Sequence, residues 1–221
     1  MTSPRLVGLR RRHPPGQSPR LAPRFAFRGG SSAARVVAVL ALLVASATQA
    51  QTRDELLRAL AAPGGVGLMR HARAPGVGDP PGMRLDDCAT QRNLSAQGRD
   101  QARRIGAALR AAGLRAAEVR SSTWCRARET AELLGLGPVQ PLPALDSFFE
   151  ERGQEGRQTA DLRAYLQAGR HKSGRILVTH QVNITALTGV LPAEGEMVVL
   201  RPGPDGYAAV GRLRLDRTDD P

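Results

Sequence analysis

The stretch "VGLMRHARAPG", residues 66–76, places an arginine and a histidine directly after an apolar run. The run Val66–Met69 has the length and composition of a buried strand, and the Ala, Pro and Gly residues that follow end it. A polar pair at a strand end is most often the point at which the chain returns to the surface. If Arg70 and His71 instead carry chemistry, further cationic side chains must reach the same edge of the sheet.

Predicted helices and strands alternate on both sides of this stretch. The predicted helices are Asp54–Ala61, Ala96–Ala112, about Thr123–Leu134 and about Thr159–Ala168, followed by a helical turn in "NITALTG", residues 183–189. The predicted strands are Val66–Met69, Glu118–Ser121, Ile176–Thr179, Glu196–Leu200 and Tyr207–Leu213, with an edge strand or extended loop at Val139–Leu145. This alternation predicts the α/β class, as a single three-layer αβα domain with a mainly parallel central sheet.

The first 50 residues differ in composition from the rest. Residues 1–34 are basic, rich in Pro and Gly and without apolar periodicity, so they are either a disordered lead or the product of a start site placed too far upstream. Residues 35–50, "RVVAVLALLVASATQA", combine a basic start, about ten apolar residues and small residues near the end. That is the layout of a signal peptide, and it is too short to span a bilayer. We therefore expect a periplasmic or otherwise secreted protein whose domain occupies residues 51–221 and has no membrane span.

The charge of the chain does not point to nucleic acid. Eight arginines and no acidic residue lie in residues 1–50, so that segment carries +8 of the net +12 and the rest only +4. Aromatic residues, on which unpaired bases stack, make up 3% of the chain. We expect no nucleic-acid partner, and the oligomeric state stays open.

Two cysteines follow the predicted signal peptide, Cys88 and Cys125. In an exported chain an even count favours a disulfide, whereas in the cytosol the same residues would be free thiols. The chain-entropy relation values such a bridge at roughly 4 kcal/mol. The bridge and the signal peptide therefore support each other.

Cationic side chains collect where a parallel sheet binds its ligands, at the carboxyl ends of the strands. The first predicted strand delivers Arg70 and His71 to that edge, and the strand before His180 delivers a second histidine. The helix after the second predicted strand carries Arg126 and Arg128 in its first turns. Arg92 is predicted to be a solvated surface arginine, and contact with substrate is the alternative.

Four motifs in order resemble the histidine phosphatase superfamily, which includes phosphoglycerate mutases, acid phosphatases and phosphohistidine phosphatases. They are "LMRHA" (68–72), "NLSAQGRDQARRIGAAL" (93–109), "SSTWCRARETA" (121–131) and "ILVTHQ" (176–181). The resemblance covers about residues 64–215. It implies that His71 is a nucleophile that becomes phosphorylated, that Arg70 and Arg126 hold the phosphoryl oxygens, and that His180 donates to the same group. Ala72 replaces the glycine that the family usually has after its histidine.

The chemistry agrees with this resemblance. Phosphoryl transfer needs positioning and positive charge around three equatorial oxygens, and a planar guanidinium supplies both. No metal and no cofactor is required. The alternative, two histidines as zinc ligands, lacks a His-Glu-x-x-His motif and a carboxylate at ligand spacing.

The resemblance also implies that the general acid comes from the segment after the Arg126 helix, which here is "PALDSFFEERGQEG", residues 143–156. Glu150 is the prediction, because Phe148 and Phe149 would keep it in apolar surroundings and therefore protonated near neutral pH. Asp146 is the close alternative, and a solvated acidic loop with no catalytic role also stays open.

The function expected is a metal-independent, exported phosphomonoesterase that works through a phosphohistidine on a small-molecule phosphomonoester. A phosphorylated envelope sugar, such as a lipopolysaccharide core heptose phosphate, is one candidate substrate. The alternatives are a phosphohistidine protein phosphatase and a domain that binds phosphate or another anion without turnover.

Overall fold

The computed structural model describes residues 51–114 and 118–216. The basic lead and the signal peptide, predicted in residues 1–50, lie outside the described residues. Helices of the described chain are α1 Arg53–Ala61, α2 Ala96–Ala111, α3 Cys125–Leu134, α4 Glu155–Ala168 and α5 Gln181–Thr188. Its strands are β1 Val66–Arg70, β2 Glu118–Ser121, β3 Val139–Pro141, β4 Arg175–Thr179, β5 Met197–Gly203 and β6 Gly206–Leu213.

The strands form one six-stranded sheet in the order β3-β2-β4-β1-β5-β6. The first four of these are mutually parallel, and β5 and β6 complete the other edge as an antiparallel hairpin. The α/β class and the mainly parallel sheet predicted from the sequence are confirmed. The sheet therefore has a carboxyl edge at which β1, β2 and β4 all end.

Helices cover both faces of the sheet because the central strands are apolar on both sides. In β1, Leu68 points to the face covered by α4 and α5, whereas Met69 points to the face covered by α1, α2 and α3. In β4, Leu177 and Val178 divide in the same way. Each buried aliphatic side chain of this kind stabilises the fold by about 1.5–3 kcal/mol. This packing fixes where the strands end.

Two predicted elements differ from the structure. The fourth helix begins at Glu155 rather than near Thr159, directly after a 3-10 turn at Arg152–Gln154. Gly153 and Gly156 lie at this junction and hide the helical pattern there, because glycine is a poor helix former. The helical turn after His180 is a full helix, which ends at Gly189 in the left-handed conformation that glycine adopts readily.

No helix within the two described ranges is both long and apolar enough to cross a membrane.

Candidate active site

His71 and His180 meet because β1 and β4 are neighbours in the parallel sheet. Arg70 pairs with Thr179 in the register, so the residue after each strand end is a histidine. The backbone N–H of His71 donates to Thr179 O at 3.0 Å, and the ring centroids of the two histidines lie 5.4 Å apart at 63°. Both side chains are buried. The structure thus brings the two predicted histidines together.

A hydrogen bond to the next residue fixes the His71 ring. Its Nδ1 lies 2.8 Å from the carbonyl oxygen of Ala72, which can only accept, so Nδ1 carries the proton and Nε2 keeps its lone pair. Burial lowers the pKa of His71 well below its ordinary value. The Ala72 carbonyl opposes this effect, and the charges of Arg126 and Arg70 add to it. The imidazole is therefore neutral at neutral pH.

The second and third motifs hold the backbone around His71. The Thr130 hydroxyl accepts from the N–H of Ala72 at 3.0 Å, and the Gln101 side chain accepts from the N–H of Arg73 at 2.9 Å. A Cβ at Gly98 would overlap the carbonyl oxygen of Arg73, so glycine allows α2 to approach this turn. The conformation after His71 is thus set by three separate contacts.

His180 is held by a serine and an arginine. Its Nδ1 lies 3.5 Å from Arg126 Nη2, which can only donate, so the proton is on Nε2 and points to Ser122 Oγ at 2.8 Å. Ser122 Oγ also accepts from the N–H of Trp124 at 3.2 Å. Burial lowers the pKa of His180 well below its ordinary value, and the charge of Arg126 lowers it further.

Arg70 and Arg126 both reach this point, and each keeps donors free of protein partners. Arg70 Nη1 donates to Gln181 Oε1 at 3.2 Å and to Pro192 O at 3.1 Å, and Nη2 lies 3.8 Å from Glu194. The Nε atoms of Arg70 and Arg126 are buried, and neither donates to an atom of the described chain. These two N–H groups remain available to a bound anion.

The cleft that these residues line has a volume of about 210 Å³. Two neutral histidines and three arginines line its inner part, namely His71, His180, Arg70, Arg92 and Arg126. Its apolar wall is formed by residues of three segments, namely Val77, Met83, Trp124 and Phe149. Three carboxylates, Asp79, Glu150 and Glu151, also line it. Within the described residues, no group of three or more His, Cys, Asp or Glu side chains is placed to hold a metal ion.

The prediction that Arg92 is a solvated surface residue is wrong. Arg92 Nε donates to Gly78 O at 2.7 Å, Nη1 donates to Ala74 O, and the side chain lines the cleft. The loop before it carries Asp79 into the site. Asp79 accepts from Arg126 Nη1 at 2.7 Å. The loop sequence has no periodicity, so only its tertiary contacts reveal both residues.

The predicted disulfide is present. Cys88 and Cys125 are bonded, with their Cα atoms 5.7 Å apart. Cys125 is the first residue of α3 and directly precedes Arg126, and its N–H donates to Gln91 Oε1 at 2.9 Å. The bridge therefore ties the end of the loop to the helix turn that carries Arg126.

The two candidates for the general acid lie in different surroundings. Glu150 lines the cleft but is exposed, so the apolar surroundings expected from Phe148 and Phe149 are not found. Asp146 is half-buried and accepts from the N–H of Thr123 at 2.7 Å. Burial raises the pKa of Asp146, against the opposing hydrogen bonds. Asp146 does not line the cleft that the described residues form.

Comparison with known proteins agrees with this geometry. The sequence profile of the histidine phosphatase superfamily (branch 1) matches residues 66–175. This range includes the first three motifs, with Arg70, His71 and Arg126, and ends just before the fourth. The chain belongs to the histidine phosphatase superfamily. No curated protein matches it in sequence.

Solved structures of the superfamily share the fold. The protein histidine phosphatase SixA complexed with tungstate is 19% identical with a TM-score of 0.51, over 68% of this chain and 96% of that chain. The alpha-ribazole phosphatase from Shigella flexneri is 15% identical with a TM-score of 0.51, over 71% and 99%. A mutant phosphoserine phosphatase from Entamoeba histolytica in complex with phosphoserine is 13% identical with a TM-score of 0.51, over 69% and 98%.

Proposed function

We propose that this protein is a phosphomonoesterase that transfers the phosphoryl group of its substrate first to His71 and then to water. The observation that carries the proposal is the state of His71: a neutral ring whose proton is held on Nδ1 by Ala72, beside two arginines with buried N–H groups that lack protein partners. A lone pair on Nε2 next to free anion donors fits a nucleophile for phosphorus.

The reaction has two displacements. His71 Nε2 attacks phosphorus, the ester P–O bond breaks, and the leaving alkoxide takes a proton from Glu150. Water then attacks the phosphohistidine after Glu150 removes a proton from it, the P–N bond breaks, and inorganic phosphate leaves. Glu150 is the acid because its carboxyl lines the cleft, whereas Asp146 is engaged by the backbone of Thr123 outside it.

The arginines stabilise the charge that develops on the three equatorial oxygens, and we propose that His180 donates its Nε2–H to the same group, in place of Ser122 Oγ, when substrate is bound. Arg70 and Arg126 supply fixed donors that cannot lose their protons, so the positive charge does not depend on a metal ion. His180 is oriented by Ser122 at 2.8 Å and lies next to Arg126. We expect full activity after exhaustive chelation.

The substrate is a small phosphomonoester outside the cytoplasm. Export is supported by the signal-peptide pattern of residues 35–50 and by the bridge between Cys88 and Cys125. The candidate substrate is a phosphorylated envelope sugar such as a lipopolysaccharide core heptose phosphate, because the predicted export would bring the enzyme into contact with envelope components.

The experiment measures free phosphate released from a panel of phosphomonoesters by the full chain, with and without a chelator. His71→Asn is the control, because Asn keeps the polarity of the site and cannot form the intermediate. Brief reaction with a ³²P-labelled ester should leave label on the wild type in an acid-labile, alkali-stable form, and none on the variant. Phosphate binding without release from any ester would indicate an anion-binding domain, and recovery of a chelated enzyme only by zinc would contradict metal independence.

A further inference from the structure

Asp79 is a buried carboxylate in the wall of the cleft, with a side chain that is 7% exposed. Both of its oxygens contact Arg126 Nη1, at 2.7 and 3.0 Å. It also accepts from the backbone N–H of Arg92 at 3.0 Å and from the indole Nε1 of Trp124 at 3.1 Å. None of the four motifs includes this residue. Its contacts reach three residues that line the cleft.

The surroundings of Asp79 favour a fixed anion over a proton donor. Burial raises the pKa of Asp79, but the hydrogen bonds from Arg126, Arg92 and Trp124 outweigh it and leave the pKa below its ordinary value. A carboxylate whose pKa lies below its ordinary value is ionised at neutral pH. Its effect on the reaction must therefore come from its charge and its position.

The geometry of the pair determines which parts of Arg126 remain for an anion. Asp79 contacts only Nη1 of the guanidinium, Nη2 lies 3.5 Å from His180 Nδ1, and Nε is buried without a protein partner. Since a guanidinium is planar, holding one nitrogen at two oxygens restricts its rotation. Asp79 thus fixes the plane in which the remaining donors lie.

The charge of Asp79 also offsets part of the guanidinium charge in the cleft. Three guanidiniums line it, Arg70, Arg92 and Arg126. Glu194 lies 3.8 Å from Arg70, and Asp79 contacts Arg126. Without Asp79 the cleft would gain one positive charge, and a phosphate dianion would bind more tightly as both substrate and product. Equal tightening of the ground state and the transition state does not raise kcat.

The loop that carries Asp79 is attached to α3 twice. The first attachment is the contact between Asp79, in the loop, and Arg126 in α3. The second is the disulfide between Cys88, near the end of the loop, and Cys125 in α3. Arg92 closes the loop on itself by donating to Gly78 O and Ala74 O. Position is therefore imposed on Asp79 by covalent and hydrogen bonds that do not involve a ligand.

We propose that Asp79 is a positioning residue for phosphoryl transfer, which orients Arg126 and Trp124 and weakens the binding of free phosphate to the cleft. The proposal rests on the proposed phosphatase function. The carboxylate has two separate effects. The positions of its two accepting oxygens orient Arg126 and Trp124, and its negative charge weakens the binding of phosphate.

The test compares Asp79→Asn, which keeps the shape and removes the charge, with Asp79→Glu, which keeps the charge and displaces it. Asp79→Asn should lower kcat by on the order of 100-fold, because its amide NH2 cannot accept from Arg126 Nη1 or Trp124 Nε1 as the second carboxylate oxygen does, and the guanidinium loses its fixed orientation. Its Ki for inorganic phosphate should fall by about tenfold, because an opposing charge is lost. Asp79→Glu should lower kcat and leave the Ki unchanged. A merely structural residue would weaken both kcat and phosphate binding.

The matched control is Asp86→Asn, on the same loop, with a side chain 86% exposed. It should match the wild type in kcat and Ki. Trp124 is the only tryptophan of the chain, so its fluorescence reports phosphate binding without turnover.

If Asp79→Asn does not fold, Asp79→Glu alone decides, and an unchanged kcat overturns the proposal. If the wild type hydrolyses no ester, the proposed function fails, whereas the fluorescence titration still shows whether Asp79 weakens phosphate binding. Equal Ki values in wild type and Asp79→Asn overturn that part.

Discussion

The rings of His71 and His180 lie edge to face, 5.4 Å apart, at the ends of two adjacent parallel strands. Both are buried beside Arg126, so protonation of either ring would place a second cation in a site that excludes water. Burial is the first cause of the lowered pKa of each histidine. The pair can therefore serve the chemistry only as neutral imidazoles, and this has consequences for rate and for stability.

The first consequence concerns the rate in acid. A histidine with the ordinary pKa of about 6.5 would be roughly 90% protonated at about pH 5.5, and kcat would fall about tenfold. Burial, and after it the positive charges of Arg126, Arg70 and Arg92, lower the pKa of His71 well below that ordinary value. At saturating substrate we expect less than about a twofold loss of kcat between pH 7 and pH 5.5. A tenfold loss over that interval, with the protein still folded by circular dichroism, would contradict the lowered pKa.

The second consequence concerns stability. Because the folded pKa of each histidine lies below its unfolded value of about 6.5, the unfolded chain binds more protons as the pH falls. The contribution to stability is complete above that value and is lost as the pH drops from 6.5 toward the folded pKa. Each histidine adds a slope of up to about 1.4 kcal/mol per pH unit. Urea unfolding at a series of pH values should show this slope.

Variants identify the source of that slope. His180→Asn removes one of the two buried rings and should flatten the dependence of the unfolding free energy on pH between about 5 and 6.5 by up to half. The exposed His171 is the matched control, and His171→Asn should leave the slope unchanged. If His180→Asn has the wild-type slope, protonation of buried rings does not destabilise this fold.

The third prediction concerns the disulfide. Reduction of the Cys88–Cys125 bridge should lower the unfolding free energy by about 2–4 kcal/mol, because the unfolded chain regains freedom. It should also lower activity well below the new Tm, since the bridge ends one residue before Arg126. The double variant Cys88→Ser, Cys125→Ser provides the control, since its stability and activity should not respond to reductant. An enzyme whose activity at low temperature is the same before and after complete reduction would show that the bridge does not support the cleft.

The strand ends and their chemistry could be predicted from the sequence because they depend on local pattern. A short apolar run followed by Arg70 and His71 indicates a strand and its end, and the same holds before His180. That both histidines reach the same edge then follows from the rule that parallel strands present their carboxyl ends at one edge, whereas the adjacency of β1 and β4 is visible only in the structure. The bridge between Cys88 and Cys125 was predictable from their even number together with the signal-peptide pattern expected in residues 35–50.

The contribution of Asp79 and Arg92 could not be predicted in this way. Both belong to a stretch rich in Gly, Pro and Asp, where no period indicates which side chains turn inward. Their roles depend on contacts with Trp124 and Arg126, 45 and 47 residues away from Asp79 along the chain. The environment of Glu150 was missed for a related reason: the two preceding phenylalanines face different surroundings, with Phe148 buried and Phe149 38% exposed.

The last prediction concerns the general acid, for which Glu150 and Asp146 remain the candidates. Departure of an alkoxide requires a proton in the transition state, whereas a nitrophenolate leaves without one. Glu150→Gln should therefore slow the hydrolysis of an alkyl phosphate by a factor on the order of 100 to 10,000 and that of a nitrophenyl phosphate much less. The ratio of the two losses is the informative quantity, because a general disturbance of the cleft would slow both substrates equally.

Two further variants complete that measurement. Glu155→Gln, at the exposed start of α4, should leave both rates unchanged. Asp146→Asn should affect both substrates to the same extent, because the Asp146 carboxylate accepts from the backbone N–H of Thr123. Thr123 lies between the end of β2 and Arg126, so Asp146 supports this turn rather than the leaving group. A loss confined to the alkyl phosphate in Asp146→Asn, with normal rates in Glu150→Gln, would assign the acid to Asp146. The burial that raises the pKa of Asp146 would then be the property that keeps it protonated for this role.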